Sequence, residues 1–282
     1  GGFDVVFAGD IPQGAGLSSS AALECATAFA LDQTFGLGLD RTQIAQYTQR
    51  AENEFVGVNC GIMDQFASVF GQHQQAICID CRSLGYTAIP LDLGEYQLVM
   101  VDSQVTHNLA DSEYNTRRRE CEEAVARLQA FYPEVVALRD VTPQQVQTHQ
   151  ADLPELLYRR ARYIAEENER VTLATQALKK GDLEALGALL YQSHDGMRYG
   201  FEITCPELDF LVEFTQTWPT VLGSRMMGGG FGGCTLNLVA QSSVDRFCEE
   251  VSQTYATEFG QAPAIYPVHT ANGTSEVTPL PA

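Results

Sequence analysis

Apolar positions change their period several times along the chain, and the changes mark its elements. The opening residues 1–8 read as a strand. Pro12 to Gly16 form a turn, and Ser19 to Phe35, rich in Ala and Leu, predicts a helix. Asp40 is placed to cap the next helix, which runs to about Phe55 and gives way to a loop from Val56 to Gly61. A short helix then carries Met63, Phe66 and Phe70 on one apolar face. Gln75 to Pro90 contains short strands, and Tyr96 to Val101 reads as a buried strand.

The second half is richer in helix. Ser112–Phe131, Leu157–Lys180 and Leu183–Ser193 read as helices, and Pro206 starts another, at a position where Pro is tolerated. A glycine loop at Gly228–Gly233 precedes a strand at Cys234–Val239, a helix at Val244–Phe259 and a strand at Ala264–Val268. Pro90 and Gly94 flank a change of pattern. The expected division is therefore into residues 1–94 and 95–282. No internal repeat of fixed period is visible.

Composition narrows the choice of partner. The 282 residues allow one large domain or two of moderate size, and 45% hydrophobic with 19% charged residues fits a substantial core. The net charge of -19, from 17 basic and 36 acidic residues, argues against nucleic acid and anionic membrane as partners. It leaves room for an anionic nucleotide, because backbone N–H groups and a metal can make a local phosphate site. No signal peptide and no membrane-spanning apolar run is visible. The eight scattered cysteines fit a reduced, cytoplasmic protein. Cys78 and Cys81 have C-x-x-C spacing, but no second pair or spaced histidines follow, so they read as structural residues of a strand. A chain that opens inside a strand reads as part of a longer protein.

Three segments carry candidate chemistry. In Gly14-Ala15-Gly16-Leu17-Ser18-Ser19-Ser20, small residues let the backbone approach a phosphate, and the following helix presents free N–H groups and its positive dipole end. The bland reading is a glycine turn with a serine cap, although three serines exceed what one cap needs. The second segment runs from Glu52 to Gln65. Asp64 falls in the first turn of a short helix, where it serves as a general base or simply neutralises the helix end. Glu52 and Glu54 lie near the end of the preceding helix, either as a solvated face or with one carboxylate on Mg²⁺. The third segment, Gly223 to Cys234, is either a second wall around phosphates or a crowded corner between strand and turn.

Together these segments resemble the GHMP family of small-molecule kinases, and within it the galactokinase family. Gly14-Ala15-Gly16-Leu17-Ser18-Ser19-Ser20-Ala21-Ala22 is similar to the family's phosphate loop. Cys60-Gly61-Ile62-Met63-Asp64-Gln65 resembles its segment with the catalytic aspartate, and Arg225 to Gly233 its third motif. Ser112 to Arg119 resembles a segment whose tyrosine lies at the sugar. The resemblance covers nearly the whole chain. It implies an α+β fold of two domains, with a mixed sheet packed by helices and a ferredoxin-like C-terminal domain. It further implies ATP phosphates at Gly14–Ser20, Mg²⁺ on Ser20 and Glu52, and Asp64 at the anomeric hydroxyl of galactose. Gly61 and Tyr114 would help to hold the sugar.

The sequence departs from the family pattern in two places. The family's opening motif, with an arginine and an acidic-histidine cluster, is absent from these residues. Ser193 to Gly200 follows the pattern only in part. A kinase for N-acetylgalactosamine or arabinose, and a non-catalytic galactose and ATP sensor, are the alternatives. The intact Ser18-Ser19-Ser20-Ala21-Ala22 run places the sensor below the enzyme.

Overall fold

The computed structural model describes residues 2–57, 60–105 and 110–277. The first helix, α1, spans Ser19–Phe35, as its Ala- and Leu-rich pattern predicts. Asp40 caps α2, Arg41–Ala51, in a reciprocal box: its Oδ1 accepts from the Gln43 backbone N–H at 2.8 Å, and the Gln43 side chain accepts from the Asp40 N–H. The helix stops short of the expected Phe55. Residues Glu52–Val56 widen into a π-turn that ends at Gly57, with φ 90°.

Helix α3 covers Met63–Phe70. Phe66 and Phe70 stack with ring centroids 4.2 Å apart and pack on Tyr86, whereas Met63 is 56% exposed and does not share their face. Cys25 of α1, Ile44 and Ala45 of α2, and Ile62, Phe66 and Val69 close the core of this part.

Strands β1 (Gln75–Ile79) and β2 (Tyr86–Pro90) form an antiparallel hairpin. Cys78 lies in β1 but Cys81 lies in the turn beyond it, so the strand does not carry both thiols; all eight cysteines are free.

The larger sheet is built from β3 (Tyr96–Asp102), β4 (Val221–Met226), β5 (Cys234–Ala240) and β6 (Ala264–Val268). Its order is β4-β5-β3-β6 with every neighbour antiparallel. That order, with helices between β3 and β4 and between β5 and β6, is the split βαβ arrangement of ferredoxin-like domains. The sequence pattern missed strand β4, because Gly223 and Ser224 interrupt its apolar run. The α+β class is the one expected. Both described sheets are antiparallel, so the parallel pairing that a mixed sheet requires is not among the described residues.

Residues 2–10 show why. They form no strand, because no described strand offers them a ladder. Phe3, Val5, Val6 and Phe7 are at least half exposed, and Phe3 meets only the edge of Phe35 at 5.9 Å among aromatic rings.

Helices α4 (Ala110–Leu128), α5 (Pro143–Thr148), α6 (Glu155–Lys180) and α7 (Leu183–Asp195) follow β3. A second π-turn, Gly196–Phe201, leads to α8 (Pro206–Gln216). Helix α9 (Val244–Phe259) sits between β5 and β6. Val99, Val101 and Val239 of the sheet pack on Leu211 of α8 and on Phe247, Val251 and Tyr255 of α9. Ala124, Leu128, Val146, Leu157 and Ala161 fill a second core among α4, α5 and α6.

One cation is buried between these layers. Arg160 of α6, 1% exposed, donates to Glu120 of α4 at 2.6 Å, to Glu202 at 2.6 Å and to the Gly200 carbonyl at 2.7 Å. With each donor group answered, the guanidinium ties α4 and α6 to the second π-turn.

Helix α7 lies on β4 with glycine against glycine. A Cβ on Gly187 would run into the carbonyl of Leu222, and one on Gly223 would run into the backbone of Gly187. Backbone cannot step aside as a side-chain tip can. Gly187→Ala should therefore lower the unfolding free energy by about 1–3 kcal/mol, despite a helix-propensity gain of about 1 kcal/mol. Chemical denaturation checks this, and an unchanged or higher midpoint would show that α7 and β4 can separate freely.

Candidate active site

The first glycine loop is shaped by its own backbone. Gly14 and Gly16 have φ of 77° and 68°, and Ser18 adopts the left-handed conformation at φ 56°, which is uncommon for a residue with a side chain. Ser18 stands at the N-cap of α1 without a side-chain capping bond, so the plain serine-cap reading does not describe it. The first helical bond runs from Ala22 N–H to the Ser18 carbonyl at 3.1 Å. The N–H groups of Ser19, Ser20 and Ala21 therefore lie at the helix end, where such groups have no intrahelical acceptor. Ala15 is buried and anchors the loop; Ser20 is exposed.

The second glycine loop packs against the first. A Cβ on Gly16 would sit 3.5 Å from Gly233 Cα, and one on Gly228 would sit 3.8 Å from the Gly16 carbonyl oxygen. The Cys234 thiol donates to the Ala15 carbonyl at 3.2 Å. From below, the Ser103 hydroxyl and backbone N–H both donate to the Gly233 carbonyl, at 2.8 and 3.0 Å. The Tyr255 hydroxyl in turn holds the Ser103 carbonyl at 2.7 Å. The Phe231 N–H donates to the Ile203 carbonyl at 2.7 Å, and a Cβ on Gly232 would collide with the Val105 carbonyl. Of the two readings left open for this segment, the crowded corner is present in Gly230 and Gly232. The face carrying Gly228 and Gly233 is turned to the first loop.

The carboxylates come from the elements beside these loops. Glu52 begins the first π-turn and is 9% exposed; Asp64 is half-buried in the first turn of α3, next to the helix N-terminus. Gly61 is exposed, and a Cβ there would meet nothing within 4 Å. Tyr114 of α4 is 39% exposed, and a Cβ on Gly229 would lie 3.7 Å from its ring. Burial pushes the Tyr114 phenol up, nearby Arg118 pulls it down, and Cys60 and Asp64 add to the rise. The structure thus brings Tyr114, Cys60 and Asp64 close together, with the second glycine loop over the tyrosine. Burial and the Glu52 carboxylate raise the Cys60 thiol, which places Glu52 in the same neighbourhood.

Two further groups were not picked out from the sequence. Glu24 of α1 lies one turn beyond Ser20 on the same side of the helix. Burial raises its carboxyl to about 7, and hydrogen bonding and repulsion from Glu52 add to this. Gln65, 1% exposed, neighbours both Glu24 and Cys60. The i,i+4 spacing from Ser20 was the available signal for Glu24. Gln65 stands beside Asp64 and gives no sequence signal of its own. Buried oxygens of Glu24, Glu52 and Gln65 have no hydrogen-bond partner among the described residues. No group of three or more His, Cys, Asp or Glu side chains placed to hold a metal occurs among the described residues. A hard cation that takes one or two protein carboxylates and fills its shell from phosphate and water fits this sparser set, starting from the unpartnered Glu52 oxygen.

No helix among the described residues is long and apolar enough to cross a membrane. Ser193 to Gly200, where the family pattern was followed only in part, forms the end of α7 and the start of the second π-turn. There Ser193 donates to Glu167, and Arg198 pairs with Asp209 and Glu213.

Comparison with known proteins gives a consistent picture. Residues 1–72 match the family model described as GHMP kinases N terminal domain, and residues 174–257 match GHMP kinases C terminal. A galactokinase of Roseiflexus sp. (strain RS-1) is 44% identical over 276 residues, which cover 98% of this chain and 70% of that protein. A galactokinase of Thermotoga neapolitana is 42% identical, covering 95% of this chain and 74% of its own length. The crystal structure of Lactococcus lactis galactokinase complexed with galactose superposes with a TM-score of 0.91 at 37% identity, covering 95% of this chain and 69% of that one. On this evidence the chain belongs to the GHMP kinase family and, within it, to the galactokinases.

Proposed function

We propose that the protein transfers the γ-phosphoryl group of ATP to the anomeric hydroxyl of galactose, giving galactose 1-phosphate. One observation carries the reading. Two glycine loops meet at the N-terminus of α1, beside an aspartate and a tyrosine, in a chain 44% identical to a galactokinase. The N–H groups of Ser19 to Ala21 and the dipole of α1 bind phosphate oxygens, and Gly14 to Leu17 keep side chains out of the way. Gly228 and Gly233 close the other side.

Ser20 and Glu52 would hold Mg²⁺, which when bound neutralises charge on the phosphate oxygens. Asp64 holds a carboxylate at the sugar hydroxyl that attacks, accepting its proton or orienting it. Gly61 leaves space for the sugar, and the Tyr114 hydroxyl helps to position it. Phosphoryl transfer depends mainly on such placement and on charge stabilisation. Free cysteines agree with a reducing, cytoplasmic setting. Residues 1–94 would supply the α1 and α3 side of the site, and residues 95–282 the Tyr114 side and the second loop.

Asp64→Asn in the full-length protein should lower kcat for galactose phosphorylation by about 10²–10⁴, with nucleotide binding retained. Turnover at the wild-type rate would remove Asp64 from the chemistry. Nucleotide binding is tested separately by heat. MgATP at about 100 times its Kd should stabilise the fold by about 2.7 kcal/mol. Glu52→Ala should diminish that shift, and a protein that shows no shift with MgATP does not bind nucleotide.

A further inference from the structure

The buried acceptors around Glu52 carry more than the expected ligand pair. Glu24 Oε2, Glu52 Oε2 and Gln65 Oε1 are all buried, and none meets a donor among the described residues. They come from three elements: α1, the first π-turn and α3. Glu52 is 9% and Gln65 1% exposed, so water cannot reach them freely. The Glu24 carboxyl is within hydrogen-bonding reach of the side chains of both Glu52 and Gln65. Glu24 also stands one helical turn beneath Ser20, on the same side of α1.

The Gln65 amide NH₂ serves the Glu24 carboxyl, yet one buried oxygen on each of the three side chains is still left without a donor. Oxygen lone pairs that face one another without a donor repel, and each has given up its hydration. Apolar packing would have replaced such groups if their role were to fill space. What satisfies several converging oxygens at once is a small, hard cation with part of its water shell.

We propose that Glu24 and Gln65 belong to the cation seat, forming with Glu52 an oxygen-lined niche below Ser20 that holds the divalent ion and its ordered water. This rests on reading the site as a kinase centre. It goes further in assigning the cation a place built by the protein alone, so that the ion binds before any nucleotide is present.

The test uses Mn²⁺ alone as the probe, titrated into the full-length protein without nucleotide and followed by the loss of the free-ion electron paramagnetic resonance signal. Wild-type protein should take up one ion. Glu24→Gln, nearly the same shape, and Gln65→Met should each weaken uptake by about 10–100-fold. Circular dichroism melts in chelator should show both variants folded. Nucleotide affinity measured in chelator should stay at the wild-type value in Glu24→Gln. A matching loss there would make Glu24 a structural residue and overturn the assignment. Wild-type Mn²⁺ affinity in Glu24→Gln, with loss in Glu52→Gln, would overturn this proposal while leaving the kinase reading intact. Unchanged affinity in Glu52→Gln as well would overturn both the seat and the metal part of that reading.

Discussion

The structure depends on one contact between two backbones. Gly16 and Gly233 lie in van der Waals contact, each at a positive φ (68° and 81°) that favours glycine, and the Cys234 thiol ties the Ala15 carbonyl to the start of β5. This contact joins the start of α1 to the sheet strand β5. The concentration of glycine in both segments follows from their backbone: Gly14, Gly16, Gly228 and Gly233 have φ of 77°, 68°, 72° and 81°. Such a contact supplies little apolar burial of its own. It is held by groups behind it: Ser103 donates to the Gly233 carbonyl, Tyr255 holds Ser103, and the Ile203 carbonyl accepts from the Phe231 N–H.

Charge is arranged in two opposite ways. Arg160 is buried with two carboxylates and a carbonyl around it, so its cost of desolvation is offset on every side. Around Glu52 the balance is missing: carboxyl and amide oxygens converge without a cation among the described side chains. A net charge of -19 makes the contrast sharper, because the chain has few basic residues to spend and places one where it organises helices. Arg160 fixes a scaffold, whereas the niche at Glu52 remains receptive.

Much of this was legible from the sequence. The bounds of α1, α9 and β6 follow from apolar period and from Gly or Pro punctuation. Asp40 announced its capping box because a cap is a local interaction between residues three apart. The first glycine loop stood out by composition, although Ser18 turned out to be left-handed and not a side-chain cap. What was illegible depends on partners distant in the chain. The segment 2–10 has the composition of a strand, yet a strand exists only where another strand pairs with it. Met63 has the right spacing for the apolar face, yet the packing of Phe66 and Phe70 on Tyr86 decides which residues that face contains. Gly223 hid β4 because its purpose, close approach to Gly187, lies in another helix. Glu24 was passed over although its spacing from Ser20 was visible, because its approach to Glu52 and Gln65 shows only in the fold.

The segment after β6 returns to the other end of the molecule. Thr274 binds the Ser68 carbonyl through both its N–H and its hydroxyl, Gly273 N–H binds Gly71, and Thr270 and Asn272 accept from the backbone of Gln74 and His73. Partners here are separated by 196 to 206 residues. On the ribosome, α3 emerges long before the residues that clasp its end. The helix bearing Asp64 must then wait, seated on its own aromatic cluster, until nearly all of the sheet domain has been made. Loop closure over such a distance is slow and comes late. Assembly is thus ordered so that the C-terminal end of α3 is clasped only once the second glycine loop has been synthesised.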